Sequence, residues 1–244
     1  VVERADRAPV STFYAPGAWG ASVELDEAAA HHAQVKRLQV GDAVRLTSGG
    51  GRRVVGTLAA LGKRRATVAL DGAAVEEIPS PPILQLLAPI GDRERMLVLA
   101  EKAVELGASG WRPVVYRRSR SVSPRGEGEG FRDKVRLRMI AALEQSGSAW
   151  LPSLHPESSP EVARVAASGM NGVLLDGEGP PLAALGLSLT SPCVLALGPE
   201  GGLDAEERDG FIASGWRLAS LGPNVLRFET AGIAGLALLR AFLR

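Results

Sequence analysis

Cysteine is almost missing from this sequence. Cys193 stands alone, which excludes an internal disulfide framework and suits a reducing, cytoplasmic setting. Histidine is scarce too: of the three, only His31 and His32 are adjacent, and with one cysteine they give no metal-ligand spacing. No metal is expected. The longest apolar run near the C-terminus, Ala231 to Leu239, is too short to span a bilayer, so no membrane partner is expected either. No charged segment followed by an apolar one opens the sequence, and a secretion signal is therefore not expected. Neither G-x-G-x-x-G after the first strand nor G-x-x-x-x-G-K-[ST] occurs, which leaves a nucleotide-dependent enzyme without support. A G-x-S-x-G elbow is also absent, which disfavours an α/β-hydrolase.

What is present is an ordinary globular composition, 45% hydrophobic and 23% charged, in 244 residues that suit one large domain or two small ones. The net charge of +1 conceals an asymmetry. Residues 1 to 75 carry ten Lys/Arg against seven Asp/Glu, residues 91 to 150 twelve against eight, and residues 151 to 244 six against ten. A polyanion would have to be met by local patches in the first two-thirds of the chain. The candidates are Lys36-Arg37, Arg52-Arg53, Lys63-Arg64-Arg65 and Arg117-Arg118-Ser119-Arg120. Solvated charge is the competing reading for each.

Residues 1 to 11 lack periodicity and read as a loosely held arm. Val23 to Leu25 reads as a strand, and Asp26 as the cap of a helix reaching about Leu38. Three β-like stretches follow, Ala43 to Thr47, Arg53 to Leu58 and Arg65 to Leu70, separated by glycine breakers. A small β-barrel or curled sheet is expected there. Pro79, Pro81 and Pro82 then interrupt both helix and sheet, so a domain boundary belongs at residues 78 to 79.

Beyond the prolines, strand and helix alternate. The expected strands are Ile83 to Ala88, Trp111 to Tyr116, Gly172 to Leu175, Val194 to Leu197 and Trp216 to Leu221. The expected helices are Arg93 to Leu106, Phe131 to Gln145, Pro160 to Ala167, Ala205 to Ser214 and Glu229 to Phe242. Apolar strands in this rhythm imply a parallel sheet covered by helices on both faces. The last helix is apolar nearly all round, which calls for core burial or a homodimer seam.

One stretch organises this second half. Strand Val194 to Leu197 runs into Gly198-Pro199-Glu200-Gly201-Gly202, and Asp204 opens a helix with Glu207 three residues on. Glycine permits positive φ and removes the Cβ that keeps a ligand from the backbone, and the helix directs free N–H groups to the same place. A tight strand-to-helix connection without a ligand is the competing local reading. A second loop of the same kind, within SLGPNVLRFET at 220 to 230, follows the next strand. In open α/β sheets ligands sit beyond the carboxyl ends of the strands, where both loops lie.

GPEGG at 198 to 202, LGPNVLRFET at 221 to 230 and the apolar last helix together resemble the SPOUT-class RNA methyltransferases. They resemble most closely the RsmE-type family, which methylates N3 of a uridine in 16S ribosomal RNA of the small subunit. RMLVLAEKAVELG at 95 to 107 looks like that family's first catalytic-domain helix, and Glu144-Gln145-Ser146-Gly147 matches its EQSG element. The resemblance implies an α/β protein with a PUA-like small β-barrel RNA-binding domain at 1–78 and a SPOUT domain at 79–244. It also implies a C-terminal trefoil knot, which pattern reasoning alone would reject. S-adenosyl-L-methionine is then the implied cofactor, held by Leu175, Gly198, Pro199, Glu200, Gly201, Gly202, Leu221, Gly222, Pro223, Leu226, Arg227 and Thr230. A homodimer and ribosomal RNA or the small subunit are the implied partners, met by Lys36, Arg37, Arg52, Arg53, Arg117, Arg118 and Arg120.

Uridine N3 must lose a proton before it attacks a methyl group, leaving negative charge on O2 and O4. Arg227 is the candidate to stabilise that charge, and Glu229 or Glu200 to take the proton. For Glu229, a favourable position in the first turn of a helix is the bland alternative. Phe228, Ser148 and Thr12 depart from the family pattern, the first near the cofactor and the others where RNA contacts are expected. Two further functions stay open: a SPOUT enzyme acting on another RNA site, and a non-catalytic RNA-binding ribosome-assembly factor.

Overall fold

Two sheets, each with its own core, organise the chain in a computed structural model that describes residues 11–119, 128–187 and 191–242. The expected arm at 1 to 11 lies almost wholly outside the described residues, as does most of the loop at 121 to 130.

The first unit comprises Val1–Ser80 and Ile140–Leu151. The break falls within the proline cluster, and a contiguous division would leave Ile140–Leu151 with the second unit. Its sheet contains β1 (Thr12–Tyr14), β2 (Ser22–Leu25), β3 (Ala43–Thr47), β4 (Arg52–Leu61), β5 (Ala66–Ala69) and β6 (Glu76–Glu77). The order is β1-β3-β4-β5-β2, with β6 on β4, so of the expected small β-barrel or curled sheet the described residues show a sheet in which no ladder joins β1 to β2. Only β1 and β3 pair parallel; the other ladders are antiparallel. Alternation sets the core: Val54, Gly56 and Leu58 of β4 point inward, and a Cβ on Gly56 would meet Ala69 O at 2.5 Å.

Helix α1 (Glu27–Val35) is capped by Asp26, which accepts from Ala29 N at 2.9 Å. It stops short of the expected Leu38 because Arg37 takes a left-handed φ of 56°. The EQSG element joins this unit. Glu144 Oε1 accepts from Tyr14 N at 2.8 Å, and Oε2 lies 3.2 Å from His32 Nδ1. Thr47 Oγ1 donates to Ser148 O at 3.0 Å, and Ser148 Oγ accepts from Trp150 N, so Ser148 closes a turn here.

The second unit, Pro81–Met139 and Pro152–Arg244, carries the parallel sheet. Its strands are β7 (Leu84–Pro89), β8 (Gly110–Val114), β9 (Ser153–Leu154), β10 (Asn171–Leu175), β11 (Cys193–Leu197) and β12 (Arg217–Ala219), in the order β12-β10-β11-β7-β8-β9. All five ladders are parallel, as the alternating rhythm requires. The helices are α2 (Arg93–Glu105), α3 (Glu129–Ser146, whose last turns belong to the first unit), α4 (Pro160–Ala166), α5 (Ala205–Ala213) and α6 (Phe228–Phe242).

Strand β11 is buried along its whole length, and its alternation divides the layers. Val194 and Ala196 pack in one cluster with Phe211 of α5 and Ala163 of α4. Leu195 and Leu197 face α6 on the other side, where Cβ atoms on Gly235 and Gly232 would lie 2.9 Å from their methyl groups. Small residues on α6 therefore let this helix lie close to the sheet. Arg240, near the end of α6, donates to Pro82 O at 3.1 Å, to Leu106 O at 3.2 Å and to Gly107 O. Its burial depresses the guanidinium's affinity for its proton below the ordinary arginine value.

Candidate active site

Strand β11 ends at Leu197, and the chain must then turn to enter α5. The turn is Gly198–Gly202, closed by Gly202 N donating to Pro199 O at 2.8 Å, with Gly202 at φ 71°. Asp204 and Glu207 form the reciprocal capping box that the sequence predicts: Glu207 N donates to Asp204 Oδ1 at 2.8 Å and Asp204 N to Glu207 Oε2 at 3.2 Å. Glu207 is buried, and its Oε1 also accepts from Arg117 N at 2.7 Å.

Strand β12 lies on the far side of β10 from β11, so its exit loop opens at the same carboxyl edge. This second loop, 220–227, is bound at its start, where Ser220 N donates to Pro180 O and Leu182 N to Ser220 O. From Gly222 to Arg227 it is exposed, with Gly222 at φ 133°. A Cβ added at Gly202 or Gly222 would meet nothing within 4 Å. Leu175, at the end of β10, and Leu221 are half-buried, whereas Pro223, Leu226 and Thr230 are exposed and Pro199 is buried.

The charged candidates fare differently. Arg227 is exposed, with no side-chain hydrogen bond or ion pair among the described residues. Glu200 is engaged by Arg95 Nη1. Glu229 stands in the first turn of α6 with its side chain only 14% exposed, its Oε1 3.9 Å from Arg95 Nε, and its Oε2 buried without a hydrogen-bond partner among the described residues. Phe228, the departure from the family pattern, is buried with its ring against Gly91, where a Cβ would approach Phe228 Cε1 to 3.1 Å.

Most arginines named as RNA contacts are committed within the fold. Arg117 pairs with Asp204 at 2.8 Å and Glu206 at 2.5 Å, which raises its proton affinity above the ordinary arginine value. Arg118 packs over Gly201 and donates to Leu203 O at 3.3 Å. Arg118 thus clamps the 198–202 loop, and Arg117 holds the start of the helix that follows it. Arg52 lies 5.0 Å over the Trp19 ring and donates to Gly17 O, and Arg53 bridges Gly147 O and Glu76. Arg64 and Arg65 pair with Glu27 and Glu24. Lys36 and Arg37 are exposed at the end of α1 without such partners among the described residues. Arg120 lies outside the described residues.

Two participants escaped the sequence reading. The turn after β10, Asp176 to Pro181, forms a third wall of the same edge, held by Arg208 Nε to Asp176 Oδ2 at 2.8 Å. Its Gly179 passes so close to β12 that a Cβ would lie 2.5 Å from Ala219 N. Glycines and prolines directly after an apolar strand were the available signal. Arg95 is the other, and its signal was a basic residue in the first turn of a helix, where the dipole disfavours it. Among the described residues no group of three His, Cys, Asp or Glu is placed to hold a metal.

Residues 79–240 match the family of RNA methyltransferase domains, and residues 25–71 match the RNA methyltransferase PUA domain. Fold and site thus define the class, an α/β RNA methyltransferase carrying a PUA domain. A ribosomal RNA small subunit methyltransferase E of Synechocystis is 30% identical over 235 residues, spanning 91% of this chain and 74% of its own length. A ribosomal RNA small subunit methyltransferase E from Neisseria gonorrhoeae, solved with S-adenosyl methionine, is 26% identical with a TM-score of 0.82, covering 95% of this chain and 97% of its own. A Legionella pneumophila protein solved with the cofactor SAM is also 26% identical, with a TM-score of 0.85 over 96% of this chain and 98% of its own. The chain belongs to the ribosomal RNA small subunit methyltransferase E family, the RsmE-type branch of the SPOUT class.

Proposed function

We propose that this chain, using S-adenosylmethionine, methylates N3 of one uridine in the 16S RNA of the small ribosomal subunit. The carrying observation is the pair of glycine loops at the carboxyl ends of β11 and β12, with an exposed arginine at the end of the second that has no side-chain partner among the described residues. The similar proteins from Neisseria gonorrhoeae and Legionella pneumophila were solved with this cofactor. The residues present fit it: Gly202 and Gly222 sit at positive φ with open space where a side chain would project, so that a ligand can approach the backbone closely. Bound there, the cofactor supplies an electrophilic methyl group on a sulfonium.

Leu175, Leu221 and Leu226 offer apolar wall, and the loop backbones offer N–H and C=O groups. Arg227 stabilises the negative charge that N3 deprotonation spreads onto O2 and O4. Of the two carboxylates, Glu229 is the better proton acceptor, because its Oε2 is unpaired while Glu200 is held by Arg95. Glu200 then serves as an anchor of its loop. Most of the acceleration is positional, from holding nucleophile and methyl carbon about 3 to 3.5 Å apart.

The finer reading has four parts. The C-terminal segment of the parallel-sheet domain is threaded as a trefoil knot. The outer face of α6, where Ile233, Ala234 and Ala237 are half-buried and Leu238 is 38% exposed, is the seam of a homodimer. Lys36 and Arg37 supply phosphate contacts from the first unit. The reaction takes place in the cytoplasm. Mapping N3-methyluridine in 16S RNA from cells with and without the protein tests the substrate, and an unchanged signal refutes it. Thermal stabilisation by S-adenosylmethionine separates an enzyme from an assembly factor, which would show none.

A further inference from the structure

Arg95 lies outside both glycine loops yet pairs with a residue of the first and with one just after the second. Asp92 caps the helix beneath it, accepting from Arg95 N at 3.0 Å, which fixes the residue in the first turn of α2. From there Nη1 donates to Glu200 Oε1 in the 198–202 loop, and Nε lies 3.9 Å from Glu229 Oε1, two residues after the 220–227 loop ends. The three side chains are 31%, 34% and 14% exposed, so the network is partly shielded from water and screened less than a surface pair. Phe228 packs on Gly91 just before α2, so the head of α6 meets this turn through an apolar contact as well. One acceptor of the network, Glu229 Oε2, is buried and has no hydrogen-bond partner among the described residues.

We infer that Arg95 is a positioning residue for methyl transfer: it ties the 198–202 loop to the start of α6 and engages Glu229 Oε1, so that Oε2 remains the free acceptor. This deepens the methyl-transfer reading and rests on it. Arginine is required because its planar fork presents different nitrogens to two carboxylates at once, whereas a lysine ammonium is a single point charge. A basic residue in this first turn opposes the helix dipole, and the two carboxylates compensate that disadvantage.

The test uses the full chain, first without cofactor. In Arg95→Ala, amide hydrogen exchange is expected to rise about tenfold in the 198–202 segment and in the 226–230 segment, with β7 and β11 unchanged. Arg95→Lys restores protection in one segment only. In methyl transfer to 16S RNA, Arg95→Ala lowers kcat about tenfold and leaves KM for the RNA within twofold. Arg95→Gln, similar in shape and uncharged, is measured alongside in case the alanine variant does not fold, and gives the same pattern. Exchange unchanged in either segment overturns the bridge, and an unchanged kcat overturns its role in transfer. A parent protein that transfers no methyl group refutes the methyl-transfer reading itself, while the exchange result still decides whether Arg95 joins the two segments.

Discussion

The two glycine loops leave the same carboxyl edge of one sheet, on either side of β10, yet they are held very differently. Loop 198–202 is clamped by Arg118, anchored through Glu200 to Arg95, and continued into a helix with a complete capping box. Among the described residues, loop 220–227 is tied only near Ser220; beyond it Val225 is fully exposed and the Arg227 side chain has no partner. A preformed wall thus faces a segment with few contacts of its own. Binding energy is best spent where order is still missing, so cofactor and RNA should act mainly on the second loop.

The largest effect expected from this contrast is on Arg227. Arg227→Ala should lower the methylation rate by about 10²- to 10³-fold, the cost of losing one donor to developing negative charge, with little change in melting temperature. Single-turnover transfer and a thermal melt decide this, and a parental rate in a folded protein removes Arg227 from the mechanism. The anchored loop should behave in the opposite way. Glu207→Ala strips the acceptor from Arg117 N and Asp204 N inside the fold, and should cost about 2 to 3 kcal/mol in a urea melt. Gly222→Ala forces a side chain into φ 133°, at a cost of about 1 to 3 kcal/mol if the native conformation persists. Because the space is open, the second loop is expected to shift instead. Weaker cofactor binding with a near-parental melt is the outcome that separates the two.

Smaller effects follow from titration. The carboxyl of Asp204 is held below the usual aspartate range, first by the N–H of Glu207 and then by the Arg117 guanidinium. Such a group adds stability at pH values above its unfolded value, and that contribution is lost as the pH falls through its depressed native value. The first loop's anchor should therefore loosen below about pH 4, and Asp204→Asn should flatten that part of the stability profile. Smallest of all, burial pushes the Cys193 thiol up to about 11. In the native protein at pH 8 iodoacetamide should leave it almost untouched, while the same reagent reacts after unfolding.

Local signals made much of this legible. The GPEGG turn, the Asp204–Glu207 cap and the alternation of apolar strands with helices were all readable, because each is written within a few residues. Strand β1 was not, since three residues give no periodicity and its partner β3 is some thirty residues away. The two-residue strands β6 and β9 fail for the same reason. Glu144 was recognisable as part of a motif, but its bond to Tyr14 N spans 130 residues, and no local pattern encodes that. The bridge from Arg95 to Glu200 spans 105 residues. Basic doublets were the least informative feature: Arg117 and Arg118 read like phosphate contacts, and nothing local shows that Arg118 also holds the 198–202 loop and Arg117 the start of α5. Charge in a sequence does not say which carboxylate or carbonyl answers it.

Arg240 bears on how the parallel-sheet unit forms in time. Its guanidinium bonds Pro82 O across a separation of 158 residues, and its helix packs on β7, the strand that opens the unit. Contacts of such range carry a loop-closure cost that is met late, so folding should be slow and should finish only once α6 has emerged from the ribosome. Until then the apolar face of β7 and β11 that α6 covers is open to wrong partners, and this is the interval in which aggregation competes with assembly.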